Sequence, residues 1–345
     1  MHVQVLDAPA AFDELQEEWL HLLSQMPFQS VFFTPQWQAA WWGHFGAGHQ
    51  LHLLTVRSAS GELQGLAPLM ITYEEEAPPR LQFIGDLDLC DYFDVLIAPQ
   101  YSVAVGEALV RYLMARVDEG LELCFANLSR RSLFATFLPD ALTARGLAVE
   151  MDQIETCPAI SLPDDWEAYL ALLRGKDRHE MRRKIRRASA AATLTYTVAD
   201  DVAGLDTDLD VFFALHRLSL QHDKQDFMTP VKVAFFRHMA HQLWRQGWLE
   251  LACLRADDVP IAALCCFTFG TTYAAYNAGY HPDYSHLSAG IVLFADRIRS
   301  AIERHFTCFD FLRGDEPYKY RFGATDRPIY QLVARSVCPV PGAGE

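Results

Sequence analysis

The stretch that decides the fold is Thr272-Tyr273-Ala274-Ala275-Tyr276-Asn277-Ala278-Gly279-Tyr280, then His281-Pro282-Asp283-Tyr284-Ser285-His286-Leu287-Ser288-Ala289-Gly290. Its first nine residues are aromatic, small or uncharged, and they read as a buried strand. Upstream, Ile261–Phe269 is a second apolar run, and Gly270 supplies the turn between the two. The whole uncharged run from Pro260 to Tyr280 is long enough to reach across a bilayer. Its Gly270, Thr271, Thr272, Asn277 and Gly279 fit two adjacent strands rather than a membrane span. Downstream, apolar residues at helical spacing place a helix over Ala289–His305. A strand that feeds a loop of small residues and then a helix start offers free N–H groups and the positive end of a helix dipole. That arrangement suits a pyrophosphate, and an ordinary connection with Ser288 as N-cap is the alternative.

The pattern extends outward in both directions. After it come a strand at Cys308–Leu312, a short helix at Glu316–Phe322 and a strand at Ile329–Ser336. Before it lie a helical segment over Asp165–Ala191 with a break near Gly175, a strand at Thr193–Val198, helices at Leu209–Gln221 and Val231–Gln246, and a strand at Leu249–Arg255. The first half repeats this order. Val3–Leu6 is a strand and Ala11–Leu23 a helix. Thr34 caps a helix with Pro35 at its first position. Strands are expected at Leu51–Val56, Leu66–Tyr73, Leu81–Gly85, Tyr92–Ile97 and Leu121–Leu128, and near Ile154–Leu162. Helices are expected at Val103–Val117 and Ser132–Arg145. The shared order predicts an α/β fold with mixed sheets in two tandem domains, 1–162 and 163–338, with a loose tail at 339–345.

Composition narrows the function. The 345 residues are 51% hydrophobic and 21% charged, so a sizeable core is expected. The net charge is −15, which disfavours a nucleic-acid surface over most of the molecule and argues against a DNA partner. The N-terminus has no signal-peptide pattern. None of the eight cysteines forms a CxxC pair, and a reducing, cytoplasmic setting is expected. His238 and His241 lack further ligands at metal-binding spacing, so no metal is expected. GxSxG, GxxxxGK[ST] and strand-led GxGxxG are all missing from the sequence.

Two more clusters carry candidate chemistry. Arg174–Arg187 holds eight basic residues against Asp177 and Glu180, a net of +6, which leaves −21 on the other residues. Met181, Ile185 and Ala188 form an apolar stripe, and Arg178, Arg182 and Arg186 form a separate one. The latter is either a solvated face or an anion site, with Arg178 and Arg182 as candidate substrate ligands. The third cluster, Phe309 to Gly323, gathers Asp310, Arg313, Glu316, Tyr318, Lys319 and Tyr320 in a turn after a strand, where proton transfer or charged-ligand recognition is expected. His216 reads as a core histidine or a general base.

These residues resemble the acyltransferase domain of CelD-like proteins, a branch of the GNAT superfamily. The resemblance rests on Trp166, Tyr169 and Leu172–Leu173 leading into Lys176 and Arg178, and on Phe212 through His216 and Arg217. Its most specific part is Tyr276–Tyr280, Pro282, Tyr284, Ser288–Gly290, Phe309-Asp310-Phe311, Gly314 and Tyr318-Lys319. In the first half it rests on Phe32–Phe33, Pro35, Trp37 and the Gly85 to Tyr92 stretch. The resemblance implies two GNAT-like domains, the first degenerate, as in the related FemABX-type transferases. It implies direct transfer of an acyl group from acetyl-CoA or another acyl-CoA to an amine or hydroxyl of a small molecule or saccharide precursor. Ser288, Ala289 and Gly290 then hold the pyrophosphate, and Asn277, Ala278 and Gly279 the pantetheine. Tyr318 protonates the leaving thiolate, with Tyr320 as alternate. Lys319 and Arg313 hold the acceptor, and Asp310 or His216 acts as base. An aminoacyl-tRNA donor, as in FemABX-type enzymes, and a non-catalytic partner in envelope or polysaccharide synthesis are the competing readings.

Overall fold

The computed structural model describes residues 1–219 and 227–337. Among them the chain forms two units, Met1–Thr156 with the C-terminal segment from Pro328, and Cys157–Arg327. The expected break at 162/163 lies instead between Thr156 and Cys157. The last strand, expected in the second domain, belongs to the first. The reason is pairing: β14 (Pro328–Ser336) runs antiparallel between β6 (Glu122–Ser129) and β7 (Leu147–Thr156). The expected tail at 339–345 lies outside the described residues.

The first unit's mixed sheet takes the order β1-β2-β3-β4-β6-β14-β7, with β5 paired to β3. Its remaining strands are β1 (His2–Leu6), β2 (Gln50–Arg57), β3 (Leu63–Thr72), β4 (Arg80–Phe83) and β5 (Leu96–Ile97). The helix expected over Ala11–Leu23 is two helices, α1 (Ala11–Glu14) and α2 (Gln16–Ser24). Helix α3 (Pro35–Phe45) begins as read, with the Thr34 hydroxyl accepting from Trp37 N at 3.3 Å. Helices α4 (Ser102–Asp118) and α5 (Leu133–Thr143) complete the unit.

The second unit carries a six-stranded mixed sheet in the order β8-β13-β12-β11-β10-β9. The strands are β8 (Ala159–Ser161), β9 (Leu194–Val198), β10 (Leu249–Ala256), β11 (Val259–Phe269), β12 (Thr272–Tyr280) and β13 (Cys308–Asp310). Helices α6 (Trp166–Leu172) and α7 (Gly175–Ala191) replace the single segment read at Asp165–Ala191, and the break falls near Gly175 as expected. Helices α8 (Val202–Leu218), α9 (Pro230–Arg245), α10 (Ala289–Glu303) and α11 (Pro317–Arg321) follow. The end expected for α8, at Gln221, lies outside the described residues. One apolar core joins α7, α10 and one face of the sheet through Met181, Ala188, Leu264, Tyr273, Val292 and Ile298.

Candidate active site

Strands β11 and β12 form the expected hairpin, with Gly270 at φ 56° in its turn. Their register runs Leu264 to Ala278 and Cys265 to Asn277, then jumps to Cys266 with Ala275. Tyr276 is therefore an extra residue, a bulge that bends β12. On its other side β12 pairs in parallel with β13 over Thr272–Ala274 alone. Beyond Ala274 that pairing stops, and the remaining six residues of β12 run on to Tyr280 without β13. Gly279 lets β12 approach helix α8 closely, because a Cβ there would lie 2.3 Å from His216 N.

The chain leaving β12 is a 3-10 helix, Pro282–Leu287, where an open loop was expected. Ser288 then takes the left-handed conformation, φ 55° and ψ 42°, and its side chain makes no capping bond to α10. Its hydroxyl instead accepts a hydrogen bond from Arg187 Nη2 at 2.8 Å. The first-turn N–H groups of a helix have no intrahelical acceptor, so this end of α10 offers donors and positive potential. A Cβ added at Gly290 would meet open space.

Ser288, Ala289 and Gly290 line a cavity of about 360 Å³ with Ala278, Gly279 and Tyr318. Lys184 and Glu316, not singled out in the sequence for this site, line it as well. Lys184 is mostly buried and sits 3.8 Å from Glu180. Burial pulls the pKa of its ammonium down; Glu180 opposes this, and Arg321, Arg183 and Arg187 add to it. Tyr318 packs its ring against Phe294 (centroids 5.5 Å apart) and Phe311 (6.2 Å). Burial, helped by Glu316, pushes its hydroxyl pKa up, so the group stays protonated at neutral pH.

The other expected site residues lie elsewhere. Asp310 is 2% exposed, and its Oδ1 accepts from Leu312 N at 2.8 Å while Oδ2 lies 3.9 Å from Arg327. It fixes the turn in which Leu312 is left-handed, φ 56°. Lys319, also 2% exposed, donates to the carbonyls of Leu312 (3.1 Å), Arg313 (2.7 Å) and Gly314 (2.9 Å), and pairs with Glu316 (2.9 Å). An ammonium has three protons, so none is left for an acceptor. Arg313 serves that turn through its carbonyl, and its side chain does not line the cavity. Asn277 is occupied locally, its Oδ1 accepting from Ala278 N at 2.9 Å. His216 is 1% exposed against the rings of Phe212 and Phe227, each 5.9 Å away, and does not line the cavity either. Tyr320 points elsewhere and donates to Asp326 at 2.6 Å.

The basic helix reaches the cavity with a different face from the one expected. Lys184 and Arg187 flank the Met181/Ala188 stripe on one side; Arg178, Arg182 and Arg186 flank it on the other. Packing of α7 against α10 turns the first flank to Ser288. Arg178 reaches the Leu170 carbonyl at 3.4 Å, and Arg182 pairs with Glu167 at 2.8 Å. The spacing of Lys184 and Arg187, three residues apart, was readable, but nothing local said which flank meets the loop.

Among the described residues no group of three His, Cys, Asp or Glu converges as a metal site needs, and no helix is long and apolar enough to cross a membrane. No curated protein matches the sequence. Residues 175–320 match the family model described as Acetyltransferase (GNAT) domain. The chain superposes on FemX with a TM-score of 0.65 at 12% identity, over 96% of this chain and 97% of that one. It superposes on the C-terminal domain of a putative lysylphosphatidylglycerol synthetase from Agrobacterium fabrum (TM-score 0.58, 13% identity, 93% and 92%). It also superposes on a tandem GNAT protein from the clavulanic acid biosynthesis pathway (0.53, 12%, 98% and 100%). At these identities the likeness concerns the fold. Residues 175–320 are thus similar to a GNAT-type acetyltransferase domain, in a chain whose two mixed sheets have the tandem GNAT-like fold.

Proposed function

We propose that the second unit transfers an acyl group from an acyl-CoA, acetyl-CoA foremost, to an amine or hydroxyl of a small molecule or saccharide precursor. The observation that carries this reading is the parting of β12 from β13 beside an α10 N-terminus that Ser288 leaves uncapped. The gap accepts an extended chain on strand edges, and the helix end, with Arg187 and Lys184 beside it, accepts phosphates.

The residues divide the work of direct transfer. The open β12 edge holds the pantetheine and directs the thioester carbonyl to backbone donors; such donors typically contribute about 10²–10³-fold. Glu316, lining the same cavity, takes the proton from the attacking amine or hydroxyl. The nucleophile–carbon bond forms, the carbon–sulfur bond breaks, and Tyr318 gives its phenolic proton to the departing sulfur. Asp310 and His216 have no part in this scheme; their work is in the turn and the core. Thermal unfolding with added acetyl-CoA tests the reading: ligand at 100 times its Kd stabilises by about 2.7 kcal/mol. An unfolding curve that does not move contradicts it.

A second reading keeps the transfer and changes the donor to an aminoacyl-tRNA, as the resemblance to FemABX-type transferases implies. The net +6 over Arg174–Arg187 favours it, and the overall −15 weighs against a wide RNA surface. Activity abolished by ribonuclease would select it over acyl-CoA.

A further inference from the structure

The other flank of α7 opens on a second groove. Arg182 and Arg186 line it with Trp166 of α6, Tyr196 of β9 and Arg299 of α10, around a space of about 370 Å³. That volume is in the range of small-molecule sites. Its floor is apolar, from Leu170, Met181, Ile185 and Val292. Two carboxylates also line it, and both have cationic partners. Glu167 pairs with Arg182 at 2.8 Å, and Asp296 pairs with Arg297 at 2.5 Å. Arg299 pairs with Glu303 at 2.8 Å. Arg186 has no carboxylate within salt-bridge distance among the described residues.

The arrangement is costly without an anion. Arg178, Arg182 and Arg186 stand at successive i,i+4 positions, and like charges at that spacing destabilise a helix. The Arg182–Glu167 pair is half exposed, so it is weak and easily exchanged for a phosphate. Tyr196 is 37% exposed on an edge strand and Trp166 is only partly buried, and both line the groove together with the guanidinium groups. Cations one helical turn apart, aromatic faces and an apolar floor are what a phosphorylated ligand with a flat ring needs.

We infer that this groove is a nucleoside diphosphate site, separate from the cavity at Ser288–Gly290. The phosphates lie on Arg182 and Arg186, and the base lies on Trp166 or Tyr196.

Calorimetric titration of the full chain with ADP, and separately with inorganic pyrophosphate, tests it. ADP is expected to bind wild type more tightly than pyrophosphate does. Arg182→Gln/Arg186→Gln should weaken ADP at least about tenfold, and Trp166→Leu/Tyr196→Ala, which removes both ring faces, should bring ADP down to the pyrophosphate level. ADP is also the nucleotide part of CoA, so Gly290→Glu, which closes the other cavity to phosphates, should leave one ADP site per chain, and that site should be lost when the arginine changes are added. Equal affinity for ADP and pyrophosphate in wild type would overturn the inference. So would loss of ADP binding in Gly290→Glu with full binding in the arginine variant, or no ADP binding at all.

Discussion

Tyr318→Phe separates chemistry from folding. The ring contacts with Phe294 and Phe311 survive the change, because only the hydroxyl is removed. That hydroxyl has no hydrogen-bond partner among the described residues, so its loss orphans nothing. Stability should therefore stay within about 0.5 kcal/mol of wild type. Its role as acid to the departing sulfur is a different matter. A positioned acid contributes about 10²–10⁴-fold, so kcat should fall at least about 10²-fold, near 2.7 kcal/mol of barrier. Burial raises the phenol's pKa, so the wild-type alkaline limb should lie above the ordinary tyrosine value of about 10. The assay is steady-state release of free thiol from acetyl-CoA across pH 6 to 10.5, with CoA affinity measured in parallel. Full kcat in the variant at every pH, with unchanged CoA affinity, would refute the reasoning.

Arg187→Gln removes the guanidinium bound to Ser288 and should weaken CoA about tenfold while flattening the salt dependence of binding; titration at two ionic strengths reads both. Lys319→Met strips three carbonyls and Glu316 of their buried partner and should destabilise by on the order of 3 kcal/mol in chemical denaturation, before any effect on substrate KM can be read. Asp94, 1% exposed in the first unit, has its carboxyl pKa pushed up to about 7 by burial, against the bonds from Ser132 and Val95. A folded value above the unfolded one favours the native state below about pH 4, and that advantage is lost as pH rises to 7. Native-state exchange in the first unit should therefore report a decline of a few kcal/mol over that span, flattened by Asp94→Asn.

The readable parts of this protein were those specified by local chemistry. Strand β12 spans Thr272–Tyr280 as expected, because an uncharged run between Gly270 and Pro282 has little else to be. The Thr34-Pro35 start of α3 and the break near Gly175 were likewise local signals. The sequence of β14 marks it as a strand but does not say which sheet it joins, since its partners β6 and β7 lie far away in sequence. The early part of β7 carries no clear strand signal, because its residues from Ala148 on are mostly half-buried or exposed and include charges, an edge-strand pattern that resembles a helix tail. At the site, Ser288–Gly290 follow from strand-to-helix punctuation and Tyr318 from the resemblance, and they share one cavity. Asp310 and Lys319 looked reactive as a charge cluster. Their work is to hold a turn around a left-handed Leu312, a conformation that nothing in the sequence announces.

Calorimetric titration of CoA into wild type and Gly290→Glu tests the central claim most directly. The site has room for the new side chain, so the variant should fold normally, and its carboxylate would stand where the phosphates are placed. Binding by wild type with one CoA per chain, weakened at least about 10²-fold in Gly290→Glu, is the predicted result. Equal affinity in the two folded proteins, or no CoA binding by wild type, would contradict it.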